Sequence, residues 1–385
     1  MINKDRMPIF LGIAFIWFTT QFGGGFASGR QVYDYFLKFG WYAVFTPVLA
    51  QLLQAFVFYY IFKFAHENRV FNYRSFMDKF YGKYKDIMSN FYEILYNITI
   101  CLATAVAFAT GGATLEQLTG IPYIVCTLLI GMGIFGMTIY GAALVRKAAS
   151  TLSLIIIIGI LIVFVPNIIA QLPSIIANIS ALKMASVSGD IWPAMWRCFI
   201  YGVFQLAAVG VYISHAEAFT SKEEIKKSMI VGFLINGLMI GLASIGMFAI
   251  LDKGIASVKV PTLLLVQTGV GASWMTPIIS LLIILGSVST GVNMIYGVVN
   301  RIVASLGKKE DEEQRDKKEK KRSILASLAY VLLTFAIAQL GLIPLVSKGY
   351  SYLGYGTIVA IIIPVIIRVI LDITKKDEVV VENQE

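Results

Sequence analysis

Charge is what this sequence has least of. Only 14% of its 385 residues are Asp, Glu, Lys or Arg, against about 25% in soluble domains. The shortage deepens once residues 308–322 are set aside, a run with 14 charges in 15 positions. The rest of the chain falls to about 11% charged. A chain this long has too much surface to face water with so little charge, which excludes an ordinary soluble enzyme and a disordered chain. Cysteine and histidine are also scarce, with three and two copies. Cys101, Cys126 and Cys198 all lie in apolar stretches. Their spacing suits no metal site, and an odd number gives no disulfide framework. No His/Asp/Glu cluster has ligand spacing and no nucleophile–base pair stands out, so the sequence points away from an enzyme and implies no cofactor.

What is abundant is apolar surface: 57% of the residues are hydrophobic and the mean hydropathy is +0.76. That composition indicates a polytopic membrane protein whose solvent is the lipid bilayer. The net charge of +9 invites a nucleic-acid partner. A nucleic-acid binder gathers base on one folded surface, whereas here the base sits in short connections between apolar runs. A membrane span needs about 20 mostly apolar residues. The runs 8–38, 41–65, 86–112, 121–142, 146–171, 192–219, 226–250, 274–304, 323–341 and 352–373 qualify. The expected fold class is therefore all-α integral membrane with ten transmembrane helices. Residues 8–22 after Lys4 and Arg6 resemble a signal peptide. The further spans, and the longer apolar run containing Ala27-Ser28-Gly29, instead indicate a retained first helix.

Basic residues set the orientation. With the N-terminus inside, cytoplasmic connections collect Lys4, Arg6, Arg69, Arg74, Lys79, Lys83, Lys85, Arg146, Lys147, Lys222, Lys226, Lys227, the 308–322 run, Lys375 and Lys376. The opposite side receives Arg30, Lys38, Lys183, Arg197, Lys253, Lys259 and Lys348. Both termini are then cytoplasmic, which an even number of spans satisfies. Residues 305–322 read as a charged, solvated cytoplasmic loop.

The first span is broken in its middle. It reads Phe22-Gly23-Gly24-Gly25-Phe26-Ala27-Ser28-Gly29-Arg30. Three glycines in a row are poor helix formers, each costing about 1 kcal/mol relative to Ala, and they admit close approach to the backbone. An unwound segment here frees backbone groups that are tolerated only inside protein or beside a cavity. Span 6 carries Gly202, Gln205 and Gly210 and is a weaker second candidate. It opens a second group of five spans, 192–373, as span 1 opens the first, 8–171. Two groups of five have opposite topology, and glycine-interrupted helices at matching positions of inverted halves point to a transporter site. Span 8 contains Gly286-Ser287-Val288-Ser289-Thr290-Gly291. Three hydroxyls within four positions offer neutral oxygens that suit a monovalent cation such as Na⁺; packing is the plain alternative.

This order of spans, breaks and hydroxyls resembles the LeuT-fold amino acid–polyamine–organocation superfamily. Gly23-Gly24-Gly25-Phe26-Ala27-Ser28-Gly29 and Val346-Ser347-Lys348-Gly349-Tyr350 look like the YkvI-type bacterial membrane proteins within it. The resemblance runs over about residues 8–373. It implies a 5+5 inverted repeat with interrupted helices 1 and 6. It also implies a cation between spans 1 and 8, on Thr19, Phe22, Gly286, Ser289 and Thr290. Substrate is implied near Gly23, Gly24, Gly25 and Phe26, and near Phe204, Gln205 and Gly210, with a carboxylate met by half-helix N–H groups. One departure stands out. YkvI-type sequences often read Gly-Gln-Glu after the Ala-Ser step, where this chain reads Gly29-Arg30-Gln31. A membrane-edge acid then gives way to a base, which weakens a proton-coupling role and favours a more anionic substrate.

Ionisable groups in spans are functional candidates by default. Arg30 either binds a substrate carboxylate, closes an outer gate with Asp34, or snorkels; Arg197 reads as a snorkelling residue. Glu93 and Asn97, with Thr104, form a polar stripe on span 3. His215 and Glu217 end span 6 and are candidates for a proton-coupled gate or for plain packing. Gln51 and Gln54 read as interhelical hydrogen-bonding groups. The expected function is Na⁺-coupled symport of a small amino acid or related zwitterion across the cytoplasmic membrane. Proton-coupled transport by the same fold, and a membrane sensor or membrane enzyme, are the alternatives. The orientation is checked with C-terminal fusions: green fluorescent protein fluoresces there and alkaline phosphatase is inactive, and the reverse pair overturns it.

Overall fold

In lipid no water is available to the backbone, so each apolar run satisfies its peptide groups internally as a helix. The computed structural model describes residues 7–185, 190–306 and 312–382, with side chains for all of these except 24, 141–153, 304, 312–317 and 375–382. Among the described residues every regular element is helical. The chain runs through α1 (Ile9–Gln21), α2 (Gly24–Ala27), α3 (Arg30–Tyr35), α4 (Thr46–Asn68), α5 (Tyr73–Tyr81) and α6 (Lys85–Thr119). Next come α7 (Tyr123–Gly136), α8 (Ala142–Ala170), α9 (Leu172–Ala185), α10 (Trp192–Gln205), α11 (Val209–Tyr212) and α12 (Lys222–Met247). The last are α13 (Pro261–Gln267), α14 (Ala272–Leu306), α15 (Glu312–Ala338), α16 (Leu342–Pro344), α17 (Tyr350–Thr357) and α18 (Ile363–Glu382).

Eight described helices are long and apolar enough to cross a bilayer, or nine if the pair Leu154–Ala170 and Leu172–Ala185, bent by 75°, is one span. This is a multi-pass membrane protein. The remaining expected span, residues 8–38, is present in pieces as α1, α2 and α3. The helices α5 and α9 were not expected. The charged run was expected to be a loop, yet from Glu312 onward it is the start of α15. Its sequence supplies the reason: Glu313/Lys317 and Asp316/Lys320 are opposite charges four apart, a spacing that supports a helix. Residues 307–311 lie outside the described residues, as do Lys4 and Arg6.

Burial ranks the helices. The best apolar window of Tyr73–Thr119 is 72% buried, against 22% for Lys318–Ala338 and 28% for Leu342–Thr374. Helix α6 is thus the central post. It packs against α7, α14 and α15, while α12 packs against α1 and α4, and α10 against α4 and α17.

Span 1 breaks in two places rather than one. Helix α1 closes with the Phe22 N–H on the Phe18 carbonyl. One turn, α2, follows, and then Gly29 takes a left-handed φ of 78°. Several of the freed groups are met by protein. Ser28 Oγ donates to the Gly25 carbonyl at 2.8 Å and accepts the Arg30 N–H at 3.1 Å. Thr262, at the start of α13, donates its hydroxyl to the Ala27 carbonyl and its N–H to the Ser28 carbonyl, each at 3.0 Å. A Cβ at Gly29 meets the Met247 methyl and lies 2.8 Å from Thr262 Oγ1.

Span 6 is interrupted more gently than its glycines suggest. It tightens into a 3-10 turn at Leu206–Ala208 and continues as α11 and a second 3-10 stretch, Ile213–Ala218. Gly202 serves close packing: a Cβ there lies 3.0 Å from Leu53 and 3.2 Å from the Ala50 carbonyl. Gly29→Ala is expected to cost about 1–3 kcal/mol, through φ and the Thr262 contact. A fall in the thermal midpoint of the purified protein checks this, and an unchanged midpoint contradicts the described turn.

Candidate functional site

The two interruptions and the middle of α6 and α14 surround one cavity of about 50 Å³. Thr20 and Gln21 reach it from the last turn of α1, Gly23 and Gly25 from the break, and Gln31 from α3. Thr99, Ile100 and Ala103 come from α6, and Thr290 and Met294 from α14. Span 6 contributes Phe204, Gln205, Ala208, Val211 and Tyr212, and Tyr350 and Leu353 come from α17. Among the described lining residues none is Asp, Glu, Lys, Arg or His. The polar lining is amide and hydroxyl.

The break rests directly on span 8. A Cβ built on Gly23 lies 3.4 Å from Thr290 Oγ1, and one built on Gly286 lies 3.9 Å from the Phe22 carbonyl oxygen. Positions 286 and 290 are four apart and share one face of α14, and Ser289 is three from Gly286. The carbonyls of the last turn of α1 have no partner within that helix. The Phe22 carbonyl therefore comes toward the hydroxyl-bearing face of α14. The Thr19 hydroxyl is turned away, bonded back to the Phe15 carbonyl at 2.8 Å.

The expected substrate residues divide. Gly23, Gly25, Phe204 and Gln205 line the cavity. Phe26 does not: it packs edge-on to Phe22 at 4.6 Å and lines a separate void of about 10 Å³ with Gln51 and Asn236. Gly210 does not either. Its N–H donates to the Tyr92 hydroxyl at 2.8 Å, and that hydroxyl donates to the Ala207 carbonyl at 3.1 Å. The glycine is needed because a Cβ there lies 3.1 Å from Tyr92 Oη and 3.2 Å from Tyr96. For Gly24 the surroundings lie outside the described residues. Half-helix N-termini were expected to hold a carboxylate, but α2 and α11 are four residues each, too short to sum a useful dipole.

Arg30 is not at the cavity. Its Nε and Nη2 donate to both Asp34 oxygens at 2.9 and 2.7 Å, and Nη1 donates to the Ala256 and Val258 carbonyls at 2.8 and 3.0 Å. With only 3% exposure and its donors in use, it ties α3 to the segment before α13. It is not available to a substrate carboxylate, so the expectation of a more anionic substrate lapses. The residue that does face the cavity is the next one, Gln31. Arg197 does not snorkel. It stacks over Tyr35 at 4.8 Å and donates to Ser351 Oγ at 3.0 Å, joining α10 to α3 and α17.

At the bundle end that carries the N-terminus, Glu93 accepts hydrogen bonds from Tyr73 and from Arg301. Arg301 also lies over the rings of Tyr73 and Tyr96, at 4.9 and 5.4 Å. Asn97 is exposed rather than turned into the bundle, and donates to Glu93 Oε1 at 3.2 Å. Thr104 is buried but bonded back to the Ile100 carbonyl. His215 is half-buried, Glu217 is exposed, and neither lines the cavity. Gln54 makes its interhelical bond, accepting from Trp17 Nε1 at 3.3 Å. Sequence reasoning missed Gln21, Gln31, Thr99 and Tyr350 in the cavity, and Arg301 outside it. The available signal was the same that singled out Gln51: a lone amide inside an apolar run.

The fold and this central cavity between two interrupted helices define the class, a LeuT-type membrane bundle. The chain superposes on a Na⁺-coupled sialic acid symporter, solved substrate-bound and outward-open, with a TM-score of 0.61 at 14% identity, over 92% of this chain and 79% of that one. A manganese transporter from Eremococcus coleocola matches at 12% identity over 95% of this chain and 87% of that one, with a TM-score of 0.47. In sequence, the chain is similar to the uncharacterized membrane protein YkvI of Bacillus subtilis, 24% identical over 359 residues, 89% of this chain and 91% of that protein. No family model matches the chain.

Tyr92→Phe is the direct test of how span 6 is held. It leaves the Ala207 carbonyl and the Gly210 N–H without their partner at a cost of about 1–3 kcal/mol. Faster backbone hydrogen exchange at residues 206–212 is the expected readout, and unchanged exchange there contradicts the bridge.

Proposed function

We propose that the protein is a secondary active transporter of the cytoplasmic membrane, with both termini inside, that carries a small amino acid or related zwitterion together with Na⁺. The observation that carries this reading is the cavity itself. It sits where two interrupted helices cross the central helices α6 and α14, and its described lining is amides, hydroxyls, aromatic rings and apolar groups, with no Asp, Glu, Lys, Arg or His. Such a site suits a solute whose own charges balance. The two inverted halves, 8–171 and 192–373, would open it alternately to each side.

The candidate seat for the cation is Thr19, Phe22, Gly286, Ser289 and Thr290, and the approach of the Phe22 carbonyl to Gly286 and of Gly23 to Thr290 supports it. Carbonyl and hydroxyl oxygens suit a hard monovalent ion. The fold neighbour is itself a Na⁺-coupled symporter, of sialic acid. Proton coupling has less support. Glu93 is held in an ion pair with Arg301, and His215 and Glu217 stand off the cavity. Arg30 remains a gate candidate through its tie to residues 256–258.

The test is thermal stability of the purified protein against amino acids, amines and nucleobases, each in Na⁺ or in choline. A ligand of the folded state raises stability by mass action, about 2.7 kcal/mol at one hundred times its Kd. Stabilisation by an amino acid in Na⁺ alone is the expected result. In the Ser289→Ala/Thr290→Ala variant the Na⁺ needed for half of that effect rises at least about tenfold, the equivalent of 1.4 kcal/mol. Equal shifts in choline that vary with pH overturn sodium coupling. Uptake of the stabilising solute into sealed vesicles then separates a transporter from a sensor.

A further inference from the structure

Two amides in the cavity wall are left unfinished by the protein: Gln21, whose Nε2 and Oε1 both lack a partner among the described residues, and Gln31. Gln31 is 3% exposed, and its Oε1 has no hydrogen-bond partner among the described residues. Its amide lies against Gly25, where a Cβ would come within 2.5 Å of Nε2. Gly25 therefore serves a defined purpose: the missing side chain is the space that Gln31 occupies. A buried acceptor without a partner is costly, and the site recovers that cost when a ligand supplies a donor. The neighbouring cation, Arg30, is saturated by Asp34 and two carbonyls and sends no charge into the cavity.

We propose that Gln31 determines the charge class of the cargo: its side-chain carbonyl accepts a hydrogen bond from the ammonium of a zwitterion. This rests on the transporter reading of the same cavity and deepens it. A neutral amide, in a described lining without Asp, Glu, Lys, Arg or His, cannot neutralise a net charge, and a desolvated net charge without a partner is disfavoured. A solute carrying only an ammonium is excluded on that ground, and one carrying only a carboxylate leaves the Gln31 acceptor without a donor. A zwitterion brings both signs and leaves no net charge to compensate. The cavity of about 50 Å³ is small, which makes the smallest zwitterions the first probes.

The experiment uses three probes of matched size, L-alanine, ethylamine and propionate, with glycine as a smaller zwitterion. Thermal stability of the purified full-length protein is measured in Na⁺. The wild type is expected to respond to L-alanine or glycine and not to ethylamine or propionate. In Gln31→Met, of similar shape but without the acceptor, the L-alanine concentration for half effect rises at least about tenfold. In Gln31→Glu an ethylamine response appears and grows from pH 6 to pH 9 as the carboxyl ionises. Each variant is first compared with the wild type without probe, so that a misfolded variant is recognised. A wild type that responds equally to ethylamine overturns the proposal without any variant. So does a Gln31→Met protein that responds to L-alanine as the wild type does. If vesicles accumulate some larger solute while both zwitterions are ignored, this inference falls and the transporter reading stands.

Discussion

A peptide group inside a bilayer must find its partner in the protein, because there is no water to take its place. The site is built on that constraint. Span 1 can stop being a helix because Ser28 takes up the Gly25 carbonyl and the Arg30 N–H, and Thr262 takes up the carbonyls of Ala27 and Ser28. Span 6 can tighten because Tyr92 holds both the Ala207 carbonyl and the Gly210 N–H. Each interruption is therefore also a joint between elements distant in sequence. The cavity exists where these joints hold the helices slightly open, and Gly25 and Gly29 keep side chains out of the places where the joints close.

The charged groups are arranged around that centre rather than in it. Arg30 and Asp34 are bound to each other and to the 255–258 segment at one end of the bundle. Arg301, Glu93 and Tyr73 meet at the other. A buried pair that is fully hydrogen-bonded adds little net stability, but losing one partner strands the other charge. These pairs act on geometry: they decide which helix ends stay together.

The apolar runs and the first break were legible in the sequence because both are local properties. Length and composition locate a span, and Gly23-Gly24-Gly25 is a poor helix wherever it occurs. The character of span 6 was not legible. Whether Gly210 lines a cavity or makes room for Tyr92 depends on a helix more than a hundred positions away. The exchange of roles between Arg30 and Gln31 has a similar cause. The left-handed turn at Gly29 resets the helical register, and a shift of one residue swings a side chain from the cavity to the outer segment. Arg301 escaped notice because it ends an apolar run and its partner Glu93 is 208 positions distant. The bend between α8 and α9 carries no strong local mark either, since both pieces are apolar and read as one span with a tail.

A cavity whose described lining holds no Asp, Glu, Lys, Arg or His also has an electrical meaning. Moving one elementary charge through the full membrane potential involves about 2.3 kcal/mol per 100 mV. In the proposed cycle the empty site presents nothing for that field to pull on, and a zwitterion adds no net charge. Voltage then acts on the step that carries the cation. The membrane potential speeds or slows the loaded crossing, and the lining of the site adds no charge of its own to the return of the empty protein.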